Sequence, residues 1–313
     1  MKQPPVVICF GEVLWDSLPQ GLFIGGAPLN VAYHLQHQGA APHLVSAVGR
    51  DWLGDELLRR LRRWGLKTDG IAQLTTSPTG TVRASVGPTD DIRYTVARDA
   101  AWDRIPADSA MLAAAGAARA LVFGSLAQRS EHNHAALAQL LTALPADAER
   151  VFDVNLREPH DDIELVKALC RQASVIKLNA EEAGRLLGGE APLPGREEAA
   201  ARKIAAQTEA GTICITAGPR GAGLLQRGRW TWERGRPVAV ADAVGAGDAF
   251  LASLLADLLQ GGVSQSSLLA RACRLGEWVA SQHGATPEYK AAAPTRPPTQ
   301  KKRQAVRKKR PSR

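Results

Sequence analysis

Short apolar runs alternate with longer amphipathic stretches along most of this chain. Val6–Phe10, Leu44–Val48, Ala120–Phe123, Val151–Val154, Val175–Leu178 and Thr212–Thr216 predict buried strands. Pro28–Gln38, Gly54–Trp64, Glu131–Leu141, Ile163–Gln172 and Ala180–Leu187 predict helices between them. Such an alternation builds a parallel sheet covered on both faces, an α/β fold in three αβα layers. Thr79–Val86 and Ile92–Ala97 break the pattern and predict two strands around a Gly87-Pro88-Thr89-Asp90-Asp91 turn. Further on, Val238 and Val240 predict a strand entering a glycine turn, and Ala249–Leu259 a helix leaving it.

The glycine turn carries the first chemical signal. In Asp242-Ala243-Val244-Gly245-Ala246-Gly247-Asp248, two glycines let backbone N–H groups converge without a Cβ in the way. Those amides, with the positive end of the next helix, form an anion site sized for a phosphate. A carboxylate there is electrostatically awkward unless Asp248 takes a proton from a hydroxyl about to attack the phosphoryl group. The competing reading is an ordinary strand-to-helix turn capped by an aspartate.

A second glycine motif, Gly25-Gly26-Ala27-Pro28-Leu29-Asn30, is followed by Gly39 and Gly49. The two motifs, in this order, resemble the two signatures of the PfkB (ribokinase-like) family of sugar and nucleoside kinases, over residues 6–290. Ala243 and Ser253 depart from the second signature, beside the place where relatives bind a monovalent cation such as K+. The resemblance implies a mostly parallel central sheet with a small β lid, from residues 16–24 and 75–100, over the sugar. It also implies ATP-dependent phosphorylation of a sugar hydroxyl with Mg²⁺. Asp248 is then the catalytic base, and Gly245, Ala246 and Gly247 the anion hole. Gly-Gly-Ala-Pro is closer to fructokinases than to ribokinases, which favours fructose as acceptor and fructose 6-phosphate as product. Another sugar, a sugar acid or a nucleoside is the alternative within the family.

Ionised Asp accepts two hydroxyl hydrogen bonds, so Asp16, read as ending the first strand at the ligand-binding edge, is a candidate sugar clamp. An exposed loop acid is its bland alternative. Pro28 suits a first helical turn, which presents Gly26 and Ala27 backbone and turns Asn30 inward, able to donate and accept at once. Asp153, Asn155 and Arg157 alternate, which predicts one side of an extended segment. Asn155 and Arg157 are substrate candidates, with an ion pair from Arg157 to Asp161 or Asp162 as the competitor. By resemblance, Arg98 is a lid arginine near the transferred phosphate. Asn179 and Glu182 match the Asn-x-x-Glu element that supports nucleotide and magnesium through water, although an N-cap Asn explains the same residues. Thr216, Gly218 and Gly221 resemble the nucleotide-covering turn, and Cys273–Ser281 the adenine border.

Composition narrows the picture further. The formal charge of +8 belongs to residues 291–313, which hold nine Lys or Arg and no acid; residues 1–290 carry 30 basic against 31 acidic residues. This predicts a kinase domain over 1–290 and a basic, disordered tail that is solvated or makes weak nucleic-acid contacts. A ligand-binding regulator contacting nucleic acid through that tail is the alternative of another class; Asp248, both glycines and Asn-x-x-Glu argue against it. Cys9, Cys170, Cys214 and Cys273 are widely spaced and read as reduced, buried thiols. No apolar run reaches membrane-span length and the start lacks a signal-like region, so a cytoplasmic protein without membrane contact is expected. The resemblance makes a lid-to-lid homodimer plausible. His132 and His134 have no third partner for zinc, a Lys-bearing phosphate loop is absent, and the seven tryptophans are expected to pack.

Overall fold

A computed structural model describes residues 3–18, 21–86, 92–192, 194–289 and 293–294. The chain begins with β1 (Val6–Phe10), β2 (Leu14–Leu18), β3 (Gly21–Gly25), α1 (Ala27–His37), β4 (Ala41–Gly49), α2 (Trp52–Arg63) and β5 (Ile71–Leu74). Next come β6 (Gly80–Val86), β7 (Ile92–Val96), α3 (Ser109–Gly116), β8 (Ala120–Gly124), α4 (Glu131–Ala143), β9 (Glu149–Asp153) and α5 (Ile163–Cys170). The remainder is β10 (Val175–Asn179), α6 (Ala180–Leu186), α7 (Glu197–Gln207), β11 (Thr212–Thr216), β12 (Gly221–Gln226), β13 (Arg229–Arg234), α8 (Ala246–Gln260) and α9 (Gln265–Ala280).

The large sheet runs β13-β12-β11-β10-β9-β8-β1-β4-β5. From β11 to β5 every pairing is parallel; the β11–β12 and β12–β13 pairings are antiparallel. Its strands alternate their burial between two layers. Ile8 and Phe10 of β1 face the core formed with α3 to α7, whereas Val7 and Cys9 face α1, α2 and α8. Both faces are covered, which is why these strands read as continuous apolar runs. All four cysteines are buried and free. A smaller sheet, β3-β2-β6-β7, stands beside the large one. No helix among the described residues is long and apolar enough to cross a membrane.

Several expectations need correction. Residues 235–244 form no strand: Val238, Val240 and Val244 are exposed. The hydrogen bonds of this segment go to the end of α9 instead, from Arg236 N to the Glu277 carboxylate and from Ala241 N and Asp242 N to Ala280 O. The helix after it starts at Ala246, three residues earlier than expected, because Gly245 already adopts the left-handed φ of 77° that launches it. Asp16 does not end β1; it lies in β2 of the small sheet. The extended run through Asp153, Asn155 and Arg157 is broken at Asn155, whose φ is +42°. Trp15 and Trp102 are buried as expected, but Trp52 is 71% exposed. The Gly87–Asp91 turn and residues 295–313 of the basic tail lie outside the described residues.

Ala293 and Pro294, grouped with the tail by composition, pack on the body. Ala293 is buried, and the Gln38 side chain donates to Pro294 O at 3.3 Å. A chain ending at Tyr289 should therefore melt about 1–3 °C below one ending at Pro294, from loss of roughly 1 kcal/mol of burial and hydrogen bonding. Equal melting temperatures by calorimetry would contradict this anchoring.

Candidate active site

Parallel strands deliver their carboxyl ends to one edge of the sheet. Asn179 lies beside Thr216 in register, Lys177 beside Asp153, and Asp153 beside Gly124. β1 sits between β4 and β8, where the order of connection reverses, the place at which such sheets bind ligands. The chain leaving β1 there carries Glu12 and then Asp16.

The paired glycines are explained by what crosses them. A Cβ on Gly25 would lie 2.1 Å from the Asp16 carboxylate, and one on Gly26 would lie 2.3 Å from Glu12 O. Gly26 caps α1 at φ 116°, with Pro28 in the first turn as predicted. Ala27 N–H donates to Glu12 Oε1 at 3.2 Å. One turn into α1, Asn30 donates through Nδ2 to Asp248 Oδ2 at 2.8 Å. Its own Oδ1 is buried without a partner, and so is Glu12 Oε2. Two orphaned acceptors in one buried region suit a ligand bearing hydroxyl donors.

Asp248 occupies the first turn of α8 and is 9% exposed. Burial, reinforced by the Asp153 charge, pushes its carboxyl up to about 6, against the pull of Lys177, the Asn30 bond and Arg157. Gly245 packs so closely that a Cβ would meet Ala285 Cβ at 2.5 Å. The first amides of α8 have no intrahelical acceptors, although Ala246 N–H also closes a turn onto Ala243 O at 3.3 Å. Beside Gly247, where a Cβ would stand 3.0 Å from its Nζ, lies the buried Lys177 ammonium. Lys177 bonds both Asp153 oxygens, at 2.9 and 3.1 Å. Burial opposes its charge, but Asp153, Glu182 and Asp248 together hold the ammonium above its usual range.

Two further acids beside this centre have raised pKa values. Burial pushes Glu12 up to about 7 and Asp16 up to about 6, with Arg157 opposing both shifts. Arg157 is exposed, bonds Leu156 O at 2.9 Å, and acts electrostatically on Glu12, Asp16 and Asp248. Its expected competitor, an ion pair with Asp161 or Asp162, does not form: Arg185 takes Asp161, and Asp162 caps α5. The left-handed turn at Asn155 carries the chain from β9 toward Arg157, and Ser125 Oγ donates to Val154 O beneath it at 2.7 Å. Arg98 joins none of the contacts that build the Asp248 cluster. It is exposed and borders a cavity of about 500 Å3 with Asp103, Arg129 and His160.

Asn179 and Glu182 form a reciprocal cap on α6. Glu182 N donates to Asn179 Oδ1 at 2.8 Å, and Asn179 N donates to Glu182 Oε2 at 2.7 Å. Glu182 Oε1 accepts from Leu156 N at 3.0 Å, and burial raises the carboxyl against Lys177. Both carboxylate oxygens already serve backbone donors, an arrangement better suited to ordering water than to direct ligation of a metal. No cluster of three His, Cys, Asp or Glu able to hold a metal occurs among the described residues. That donor set fits Mg²⁺ arriving with phosphates and keeping its water. His132 and His134 instead bond Ile105 O and Gln128 O. Thr216 ends β11, Gly218 (φ 56°) opens the following turn, and Gly221 (φ 113°) would drive a Cβ into Glu233 O at 2.0 Å.

Sequence reasoning missed Glu12 and Lys177 as members of the centre. The available signal was an ionisable residue inside or directly after an apolar strand, since such groups are rarely buried unless paired.

The model of the pfkB family of carbohydrate kinases matches residues 19–292. Fructokinase of Escherichia coli is 28% identical over 265 residues, which cover 81% of this chain and 84% of that protein. Among solved structures, fructokinase of Xylella fastidiosa with bound ATP superimposes at a TM-score of 0.76 and 24% identity, covering 93% of this chain and 95% of that one. Aminoimidazole riboside kinase of Salmonella enterica, complexed with aminoimidazole riboside and an ATP analogue, gives 0.73 and 21%, over 90% and 95%. A family match across most of the chain, on the ribokinase-like α/β fold, makes this protein a member of the pfkB family of carbohydrate kinases.

Proposed function

We propose that this enzyme transfers the γ-phosphoryl group of ATP to fructose, forming fructose 6-phosphate. The observation that carries the reading is the buried Asn30–Asp248 pair at the start of α8, beside a turn whose packing admits only glycine at 245. Asp248 takes the hydroxyl proton as the oxygen attacks, and the amides of Ala246 and Gly247, behind Gly245, face the phosphoryl oxygens. Asn30 Oδ1 and Asp16 accept sugar hydroxyls over the Gly26–Ala27 backbone, with Asn155 and Arg157 on the opposite wall. Lys177 adds positive charge beside Gly247. Thr216, Gly218 and Gly221 shape the nucleotide wall. Mg²⁺, when bound, would neutralise charge on the nucleotide phosphates, with Asn179 and Glu182 supporting it through water, and the loop at Ala243 would lie beside a monovalent cation such as K+. The small sheet, with Arg98 following it, closes over the sugar and excludes water.

Fructose is favoured by the Gly25-Gly26-Ala27-Pro28 form and by the fructokinases among the relatives. A nucleoside acceptor is the second reading, supported by the riboside kinase with the same fold. Leu22 and Phe23, each 42% exposed on the edge strand β3, support pairing of two copies through the small sheet. Four buried free thiols support residence in the reducing cytoplasm.

ADP release measured across ketoses, aldoses, sugar acids and nucleosides should give the highest kcat/KM with fructose; a nucleoside in first place would move the substrate to the second reading. Asp248→Asn should lower kcat by about 10²–10⁴ while leaving ATP binding intact. In the wild type, the ionised carboxylate is the competent form. With its pKa raised to about 6, kcat should be full at pH 8, fall by half near pH 6, and drop about tenfold per unit below. An unchanged rate at pH 5 would remove Asp248 as the base. Asp16→Ala should raise the sugar KM at least about tenfold, the loss of one to two charged hydrogen bonds. A raised ATP KM with an unchanged sugar KM would reverse the assignment of the pockets.

A further inference from the structure

His34 lies four residues after Asn30, on the same face of α1, and is fully buried. Its Nε2 is 2.9 Å from Ala285 O and its Nδ1 is 2.8 Å from Tyr289 Oη. A carbonyl oxygen only accepts, so Nε2 carries the hydrogen and Nδ1 accepts from the phenol. A single neutral tautomer satisfies both bonds. Burial, helped by the neighbouring His37 and opposed by the Ala285 bond, lowers the ring pKa to about 4, so this neutral form persists across the physiological range.

Ala285 is the wall behind the Gly245 turn. A Cβ on Gly245 would fall 2.6 Å from Ala285 Cα and 2.9 Å from the same carbonyl oxygen that His34 binds. The preceding residue clasps the turn's other end, Gly284 N–H donating to Asp242 Oδ2 at 3.2 Å. Additional anchors tie the segment down: Tyr33 Oη donates to Pro287 O at 2.9 Å, and Tyr289 stacks on His37 at 4.0 Å between centroids. One face of α1 thus grips Asp248 directly through Asn30, and grips the turn before it indirectly through His34 and Ala285.

We propose that His34 is a positioning residue for phosphoryl transfer: by holding Ala285 it fixes the Gly245 turn relative to the Asp248 carboxylate. The proposal rests on the reading of that turn as the phosphate site. A displacement near 1 Å at such a site costs on the order of 10²-fold in rate, so small movements of Ala285 matter. The proposed sugar contacts, at Gly26, Ala27 and Asn30, lie at least one turn before His34, whose ring bonds none of them.

The test uses the full-length protein with His34→Leu and Tyr289→Phe. His34→Leu should lower kcat by about 10–100-fold and raise the ATP KM several-fold, with the sugar KM held within about twofold. Amide hydrogen exchange in the segment 242–247 should quicken while the protein remains folded. Tyr289→Phe keeps the ring packing but removes the donor to Nδ1, and should shift kcat and exchange in the same direction by a smaller factor. Wild-type kcat, ATP KM and exchange in His34→Leu, even at a lower melting temperature, would overturn the proposal. Should that variant fail to fold, unaltered kcat and exchange in Tyr289→Phe overturn it instead. The exchange readout needs no turnover, so it decides the role of His34 even if the wild type phosphorylates none of the sugars tried.

Discussion

Asn30 and Asp248 stand 218 positions apart in sequence and 2.8 Å apart in the fold. The hydrogen bond between them joins the helix after the paired glycines to the helix after the second glycine turn. Both helices pack on the same face of the large sheet. A carboxylate buried at that junction is held in place by its donor, but burial also keeps its proton affinity high. A base with a pKa somewhat below neutrality is ionised at working pH yet still able to accept a proton in the transition state. Position therefore arises from the contact with Asn30, and basicity from the burial that this contact partly offsets.

Around this pair the charges are arranged in opposition. Glu12, Asp16, Asp153, Glu182 and Asp248 crowd the carboxyl edge of the sheet, and Lys177 and Arg157 answer them. Lys177 is fixed by Asp153, whereas Arg157 is exposed and acts at longer range. The acids nearest the expected sugar carry raised pKa values, and the amides and ammonium lie toward the expected phosphate. Such a division suits a reaction that collects a proton on one side and stabilises negative charge on the other.

Legibility in the sequence followed local physics. The strand Thr212–Thr216 is readable to the residue because a parallel strand buried on both faces is a bare apolar run between polar ends. Helix α1 is equally clear, since Pro28 and the glycines mark its start. The small sheet is harder: β2 and β3 are short and half exposed, so Asp16 reads as the end of β1 when it belongs to the next strand. Val238 and Val240 mislead for the opposite reason, being apolar residues in a segment whose backbone bonds run to α9 rather than to a strand. Asn30, Asp248, Gly25 and Gly26 were visible as motif residues, but their mutual contact is tertiary. Lys177 is a charged residue inside the apolar run Val175–Leu178, and only its pairing with Asp153 across the sheet gives it meaning.

The central claim is that Asp248 is a buried base poised by Asn30. The most direct measurement is a carbon-13 NMR titration of the Asp248 carboxyl, assigned by loss of its resonance in Asp248→Asn. The midpoint should lie near 6 in the wild type, and higher in Asn30→Ala, where the bond favouring the charged form is gone. A midpoint near the ordinary value of 3.8, unmoved by Asn30→Ala, would contradict the account.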